Sequence, residues 1–149
     1  VKSLRRFLEL PAPERHLLIK AVLLLVAIRL GLAVLPFRTL RRLLAGRGER
    51  AAGWRRTDRV SPDRIAWAVM AAGRYAPGRA TCLVEALAVE ALLARRGYPA
   101  RLRVGVAREE DGRLQAHAWV ESGGRVVIGG SETALERYTS LLAMDAGGS

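Results

Sequence analysis

The apolar residues change period at Pro99, and this constrains the fold more than any other feature of the chain. Ahead of Pro99 they recur at helical spacing; behind it they alternate. Ser61-Pro62-Asp63 supplies an N-cap, a proline at the first helical position and an acid in the first turn. Ile65, Ala66, Val69, Met70 and Ala72 or Gly73 then form a helical stripe, which Pro77-Gly78 ends. A second helix starts at Thr81, a capping residue, and runs through CLVEALAVEALLARRG. Leu83, Val84, Leu87, Val89 and Leu92, with small alanines between them, predict burial on more than one side. Gly97 suits the position after the helix, and Pro99 blocks continuation. Leu102, Val104 and Val106 next alternate with Arg101, Arg103 and Gly105. Turns at 109–112 and 122–124 separate this strand from a second, Leu114 to Glu121, and a third, Arg125 to Ile128. The tail from Ser131 is read as a short helix through Ala134–Tyr138 and a frayed Gly147-Gly148-Ser149 end. Helices followed by a three-strand meander make an α+β pattern.

The amino-terminal section is of a different kind. Residues 1–60 hold 14 Lys+Arg against 4 Asp+Glu, and residues 61–149 hold 11 against 10. A basic helical section and linker over 1–60, followed by a core over 61–149, is the expected organisation. Leu17 to Leu35 is the most apolar stretch, but Lys20 and Arg29 interrupt it, and no small-residue cleavage site follows. It is expected to be a helix covered by the domain or by a partner. The alternative is peripheral membrane contact through residues 17–35, for which Arg38, Arg41 and Arg42 supply a flank suited to anionic lipid. Residues 46–60, GRGERAAGWRRTDRV, show neither period and read as a linker or exposed loop.

Cys82 is the only cysteine, so no intramolecular disulfide forms; with only His16 and His117 besides, a zinc site of the usual kind is not expected. No cofactor is expected, and a reducing, cytoplasmic location is the default. At a helix start, Cys82 has backbone N–H groups and the helix dipole beside it, which stabilise a thiolate and can hold an oxyanion. The bland reading is a small buried apolar residue. His117 adds to the functional reading. It follows Cys82 by 35 residues. It sits in mid-strand, on one face with Gln115, Trp119 and Glu121, while Ala116, Ala118 and Val120 take the other. A satisfied core histidine is the bland alternative; a base and acid for the thiol is the functional one.

The group that orients His117 is open at this level. A three-residue hairpin loop sets residue 129 across from His117, a two-residue loop sets residue 130 there, and both are glycine. Glu132, Gln115 and a main-chain carbonyl are the candidates, with Glu132 taken as the orienting acid. Glu121 is too far along the strand for direct contact, at about 13 Å. A Gly129→Asp substitution would, on this register, set a carboxylate directly across from the ring.

Cys82-Leu83 with Ala86-Leu87, Arg96-Gly97, Gly105-Val106 and Ala116-His117-Ala118-Trp119-Val120-Glu121 together resemble the transglutaminase-like cysteine-protease superfamily. Within it they look most like the lasso-peptide leader peptidases, the stand-alone protease half of the lasso B protein. The resemblance covers residues 63–149, and ERHLLIKAVLLLVAIRL with LPFRTLRRLL resembles that family's helical start. It implies a papain-like core in which a Cys-bearing helix packs on an antiparallel sheet. The family's nucleophile matches Cys82 and its histidine matches His117, while the acid expected on the following strand falls at about Gly129.

The implied activity is removal of the leader from a ribosomally made precursor peptide. The implied partners are that precursor, a small leader-recognition protein and a lasso cyclase that consumes the freed amine. Amine acyl transfer on the same fold is the rival enzyme reading. A non-catalytic basic adaptor for nucleic acid or membrane is the rival from another class. Nucleic acid is not expected as a partner, because Trp54 is the only aromatic in the basic linker.

Overall fold

The computed structural model describes residues 9–49, 60–75 and 81–145. Two helices lead, α1 (Ala12–Val34) and α2 (Phe37–Glu49), followed by α3 (Pro62–Gly73) and α4 (Cys82–Arg95). The sheet strands are β1 (Arg101–Arg108), β2 (Leu114–Ser122), β3 (Arg125–Ile128) and β4 (Thr139–Asp145), with a single-turn α5 (Glu132–Leu135) before β4. All neighbouring strands are antiparallel, in the order β3-β2-β1-β4. The fold is α+β, helices followed by an antiparallel sheet, as the change of period implies.

Local chemistry sets the helix boundaries. Ser61 Oγ accepts the Arg64 N–H at 3.3 Å, and Thr81 Oγ1 accepts the Val84 N–H at 3.4 Å. Each satisfies a first-turn donor that has no intrahelical acceptor. α4 ends as Gly97 enters the left-handed region at φ +75°, and the Tyr98 N–H returns to the Leu93 carbonyl at 3.0 Å.

α4 is the middle of the molecule. Leu87, Val89, Leu92 and Leu93 are buried, as are Ala86, Ala88 and Ala91, whose small side chains let neighbours approach on both sides. One apolar cluster joins Ala21, Leu25 and Ile28 of α1, Leu40 of α2, Ile65 and Val69 of α3, the α4 face, and Leu102, Ala118, Val120 and Ile128 of the sheet. The basic amino-terminal helices therefore share the core with the sheet. Glu90, buried within α4, accepts from Arg41 of α2 at 2.8 Å. α1 is also tied to α3 by an ion pair between Glu14 and Arg64. At the edge of the sheet, Arg125 holds both carboxylate oxygens of Asp63, at 2.7 and 2.9 Å.

Four expectations need correcting. The stretch assigned to a linker from residue 46 begins as the last turn of α2, which runs to Glu49; residues 50–59, with Trp54, lie outside the described residues, as do Pro77-Gly78 and Gly147-Gly148-Ser149. Met70 is not in the α3 core stripe. It is exposed with Trp67 and Tyr75, and Ala68 is buried instead. The short helix after β3 occupies Glu132–Leu135 rather than Ala134–Tyr138, because Ser131 caps it by accepting the Ala134 N–H. The chain then adds a fourth strand, β4, on the free edge of β1. The strand order requires the segment between β3 and β4 to cross β2 and β1.

Candidate active site

Cys82 is the first residue of α4, half-buried against the central core. Thr81 engages two first-turn donors, Val84 N–H through its hydroxyl and Glu85 N–H through its carbonyl at 3.0 Å. The N–H groups of Cys82 and Leu83 are the ones that a helix cannot satisfy internally at these positions. They are the donors available beside the sulfur.

His117 lies in β2 opposite Gly105 of β1. Its neighbours Ala118 and Val120 face the helical core, so the alternation sends the imidazole to the other face with Trp119. Trp119 is nonetheless buried. Its indole lies over Gly105, where a Cβ would come within 3.0 Å of the ring and of the Thr139 carbonyl. Tyr138, arriving on the crossover, has its ring centroid 5.4 Å from His117 and 6.3 Å from Trp119.

The imidazole is held by a main-chain carbonyl. His117 Nε2 is 2.5 Å from the Gly129 oxygen. A carbonyl only accepts, so Nε2 carries the proton and Nδ1 of the neutral ring presents a basic lone pair. The other candidates are engaged elsewhere or stand apart. Gln115 Oε1 accepts from the Tyr138 hydroxyl at 2.8 Å and from Arg137 at 3.3 Å. Glu121 accepts from Trp119 Nε1 and from Arg103, each at 3.2 Å. Glu132, expected as the orienting acid, is exposed in the first turn of α5 and makes no hydrogen bond to His117 among the described residues.

The expected register is also corrected. The hairpin has a two-residue turn, pairing Ser122 with Arg125 and Glu121 with Val126, but a bulge then pairs Val120 with Ile128. Beyond the bulge Gly129 comes alongside Trp119, not across from His117. A Cβ on Gly129 would lie 2.5 Å from Trp119 Cβ and 2.9 Å from the Ala118 oxygen. With φ at +104° as well, this position excludes the side chain that the Gly129→Asp idea requires.

No hydrogen bond joins Cys82 to His117 among the described residues. On their own elements, Cys82 is the end of α4 remote from the 96–100 connection, and His117 pairs with the second half of β1. A main-chain carbonyl is one of the candidates the sequence offers for orienting the ring; that it belongs to Gly129, and that Tyr138 lies beside the ring, was not anticipated. The one hint was Gly129-Gly130, which marks a break after β3 where the main chain can approach a side chain closely.

The family described as the Transglutaminase-like superfamily matches residues 22–143. The chain belongs to the transglutaminase-like superfamily. No curated protein and no solved structure matches it. The match begins inside α1 and ends inside β4, so it takes in the basic helices together with the sheet. Superfamily members are typically cysteine-based enzymes, and membership points to cysteine protease or acyltransferase chemistry.

In this transglutaminase-like chain a carboxyl group stands one helical turn after the cysteine. Glu85 is held above the usual glutamate value of 4.5 by burial, which penalises its charged form. A carboxyl whose folded pKa exceeds its unfolded one favours the fold at low pH, and that contribution is lost as pH rises through the folded value. Glu85→Gln is therefore expected to raise the melting temperature at pH 7 and to leave it unchanged at pH 3. Thermal melts of both proteins across that range check this; an equal shift at both pH values would remove ionisation as the cause.

Proposed function

We propose that the protein is a cysteine peptidase that removes the leader from a ribosomally synthesised precursor peptide in lasso-peptide biosynthesis. The observation that carries the reading is the pinned imidazole: Nε2 bonded to the Gly129 carbonyl leaves Nδ1 as the base. The sequence resemblance assigns the nucleophile to Cys82 and narrows the superfamily to leader peptidases.

The imidazole lies on the sheet face away from the helical core and, among the described residues, is not bonded to the thiol, so this reading requires a rearrangement on substrate binding that brings Nδ1 to Sγ. Nδ1 takes the thiol proton, and Sγ attacks the scissile carbonyl carbon. The oxygen becomes an oxyanion that the N–H groups at the start of α4 stabilise. Collapse breaks the C–N bond, and the imidazolium gives its proton to the departing amine, the new amino terminus of the core peptide. Water, deprotonated by His117, then cleaves the thioester and restores the thiol. The imidazolium formed in each half is stabilised by the carbonyl dipole at Nε2. A leader-recognition protein would deliver the precursor in the cytoplasm, and a lasso cyclase would use the freed amine.

Mass spectrometry of a precursor peptide incubated with this protein and its leader-recognition protein tests the reading. Two fragments whose masses sum to the precursor plus water are expected. Loss of ammonia on joining to an added amine would instead identify an acyltransferase, and an unchanged precursor would refute both.

A further inference from the structure

We propose that the outer face of α1, with the start of α2, docks on an anionic membrane surface. α1 has two apolar faces. Leu17, Leu18, Ala21, Leu24, Leu25 and Ile28 are buried in the protein, whereas Leu23, Leu30 and Val34 are 64%, 62% and 79% exposed, and Ile19 is 47% exposed. The exposed four follow helical spacing and make one ridge, about 22 Å long at 1.5 Å per residue. Leu35 follows the ridge at the end of α1 and is also partly exposed, as is Leu43 of α2. A contiguous exposed apolar ridge of this kind marks an interaction surface.

The charge around the ridge selects the partner. Arg38 and Arg42, one turn apart on α2, are both exposed beside its far end. On its flank, Lys20 is held below the usual lysine range by partial burial and by the guanidinium groups of Arg96 and Arg95, which marks a cluster of cations there. Glu14, the acid of α1, is already paired with Arg64. Arg29, exposed beside Leu30, has a stem long enough to reach headgroups while its apolar neighbours insert. An apolar ridge rimmed by cations matches the acyl boundary and anionic headgroups of a lipid surface. The helix is long and apolar enough to cross a bilayer, but crossing would strip Ala21, Leu25 and Ile28 from the core they share with α3 and α4. The ridge therefore lies in the interface rather than across it, and this placement is independent of the peptidase reading.

Flotation of the full chain with vesicles tests the proposal. With phosphatidylglycerol–phosphatidylcholine vesicles at low salt, the chain is expected to float. Its partitioning should fall at least tenfold on pure phosphatidylcholine or at high salt. Leu23→Asp with Leu30→Asp should cut it at least tenfold, with an unchanged thermal transition because neither side chain is in the core. Arg38→Glu with Arg42→Glu should abolish the preference for anionic vesicles. The proposal is overturned if the wild type stays unbound, if the leucine pair floats as well as wild type, or if bound protein resists alkaline carbonate extraction as a spanning helix does. It is equally overturned if the leucine pair disperses a concentration-dependent dimer, or releases the leader-recognition protein, while vesicles bind neither protein.

Discussion

Cys82→Ala is expected to end the proposed precursor cleavage, with a loss on the order of 10⁶ in kcat by comparison with removal of a nucleophile elsewhere, while thermal unfolding stays cooperative. The thiol is the attacking group in the proposed reaction, and the chain has no second cysteine to replace it. Cys82 is half-buried at the end of α4, and alanine keeps the helix start that Thr81 caps, so the cost to stability is small. Cys82→Ser fails too, because a hydroxyl ionises far less readily than a thiol. The role of His117 is read separately by alkylation. Iodoacetamide should label Cys82 faster in the wild type than in His117→Ala at pH 7. Equal rates would take His117 out of thiol activation, and cleavage by Cys82→Ala would remove the proposed nucleophile.

Gly129→Ala should be the most damaging small substitution in the sheet. The new methyl meets Trp119 Cβ at 2.5 Å, Trp119 Cα at 2.8 Å and the Ala118 oxygen at 2.9 Å, all on the neighbouring strand. None of these is the far end of a flexible side chain, so the backbone itself must move. The positive φ of +104° adds its own strain for any residue with a Cβ. Together these cost about 3 kcal/mol, which lowers the melting temperature by roughly 10 °C in a chain of this size.

The same displacement moves the carbonyl that holds His117, and a misplacement of about 1 Å lowers turnover by about a hundredfold. Chemical denaturation and cleavage rates measured below the shifted transition separate the two effects. Glu132→Ala, in contrast, should leave both stability and cleavage unchanged, since its side chain is exposed and not bonded to the ring. Cleavage lost in Glu132→Ala but retained in Gly129→Ala would reassign the orienting group.

These two positions differ in how far they could be foreseen. Cys82 at the start of a helix was legible because its signals are local: Thr81 caps, Pro99 stops, and the apolar residues between them repeat at helical spacing. His117 was legible as a mid-strand residue by the same kind of local alternation, and so was its placement on one face with Trp119. Its partner was not. The hairpin register turns on a bulge after Val120, and one extra residue there exchanges which groups stand opposite each other. Gly129 therefore acts through its carbonyl at His117 and through its missing side chain at Trp119, two roles that no spacing rule assigns.

The sequence by itself determined the helices capped by Ser61 and Thr81, the three strands of the meander, the α+β class and the two residues that carry the chemical case. Each follows from interactions within a few positions along the chain. The tertiary structure alone decided that β4 completes the sheet on β1, that Tyr138 reaches His117, and that Gly129 rather than Glu132 holds the ring. It also decided which apolar side of α1 enters the core. Leu17 to Leu35 is apolar nearly all round, so periodicity cannot choose a face; contact with α3 and α4 does, burying Ala21 and Ile28 and leaving Leu23 and Leu30 outside.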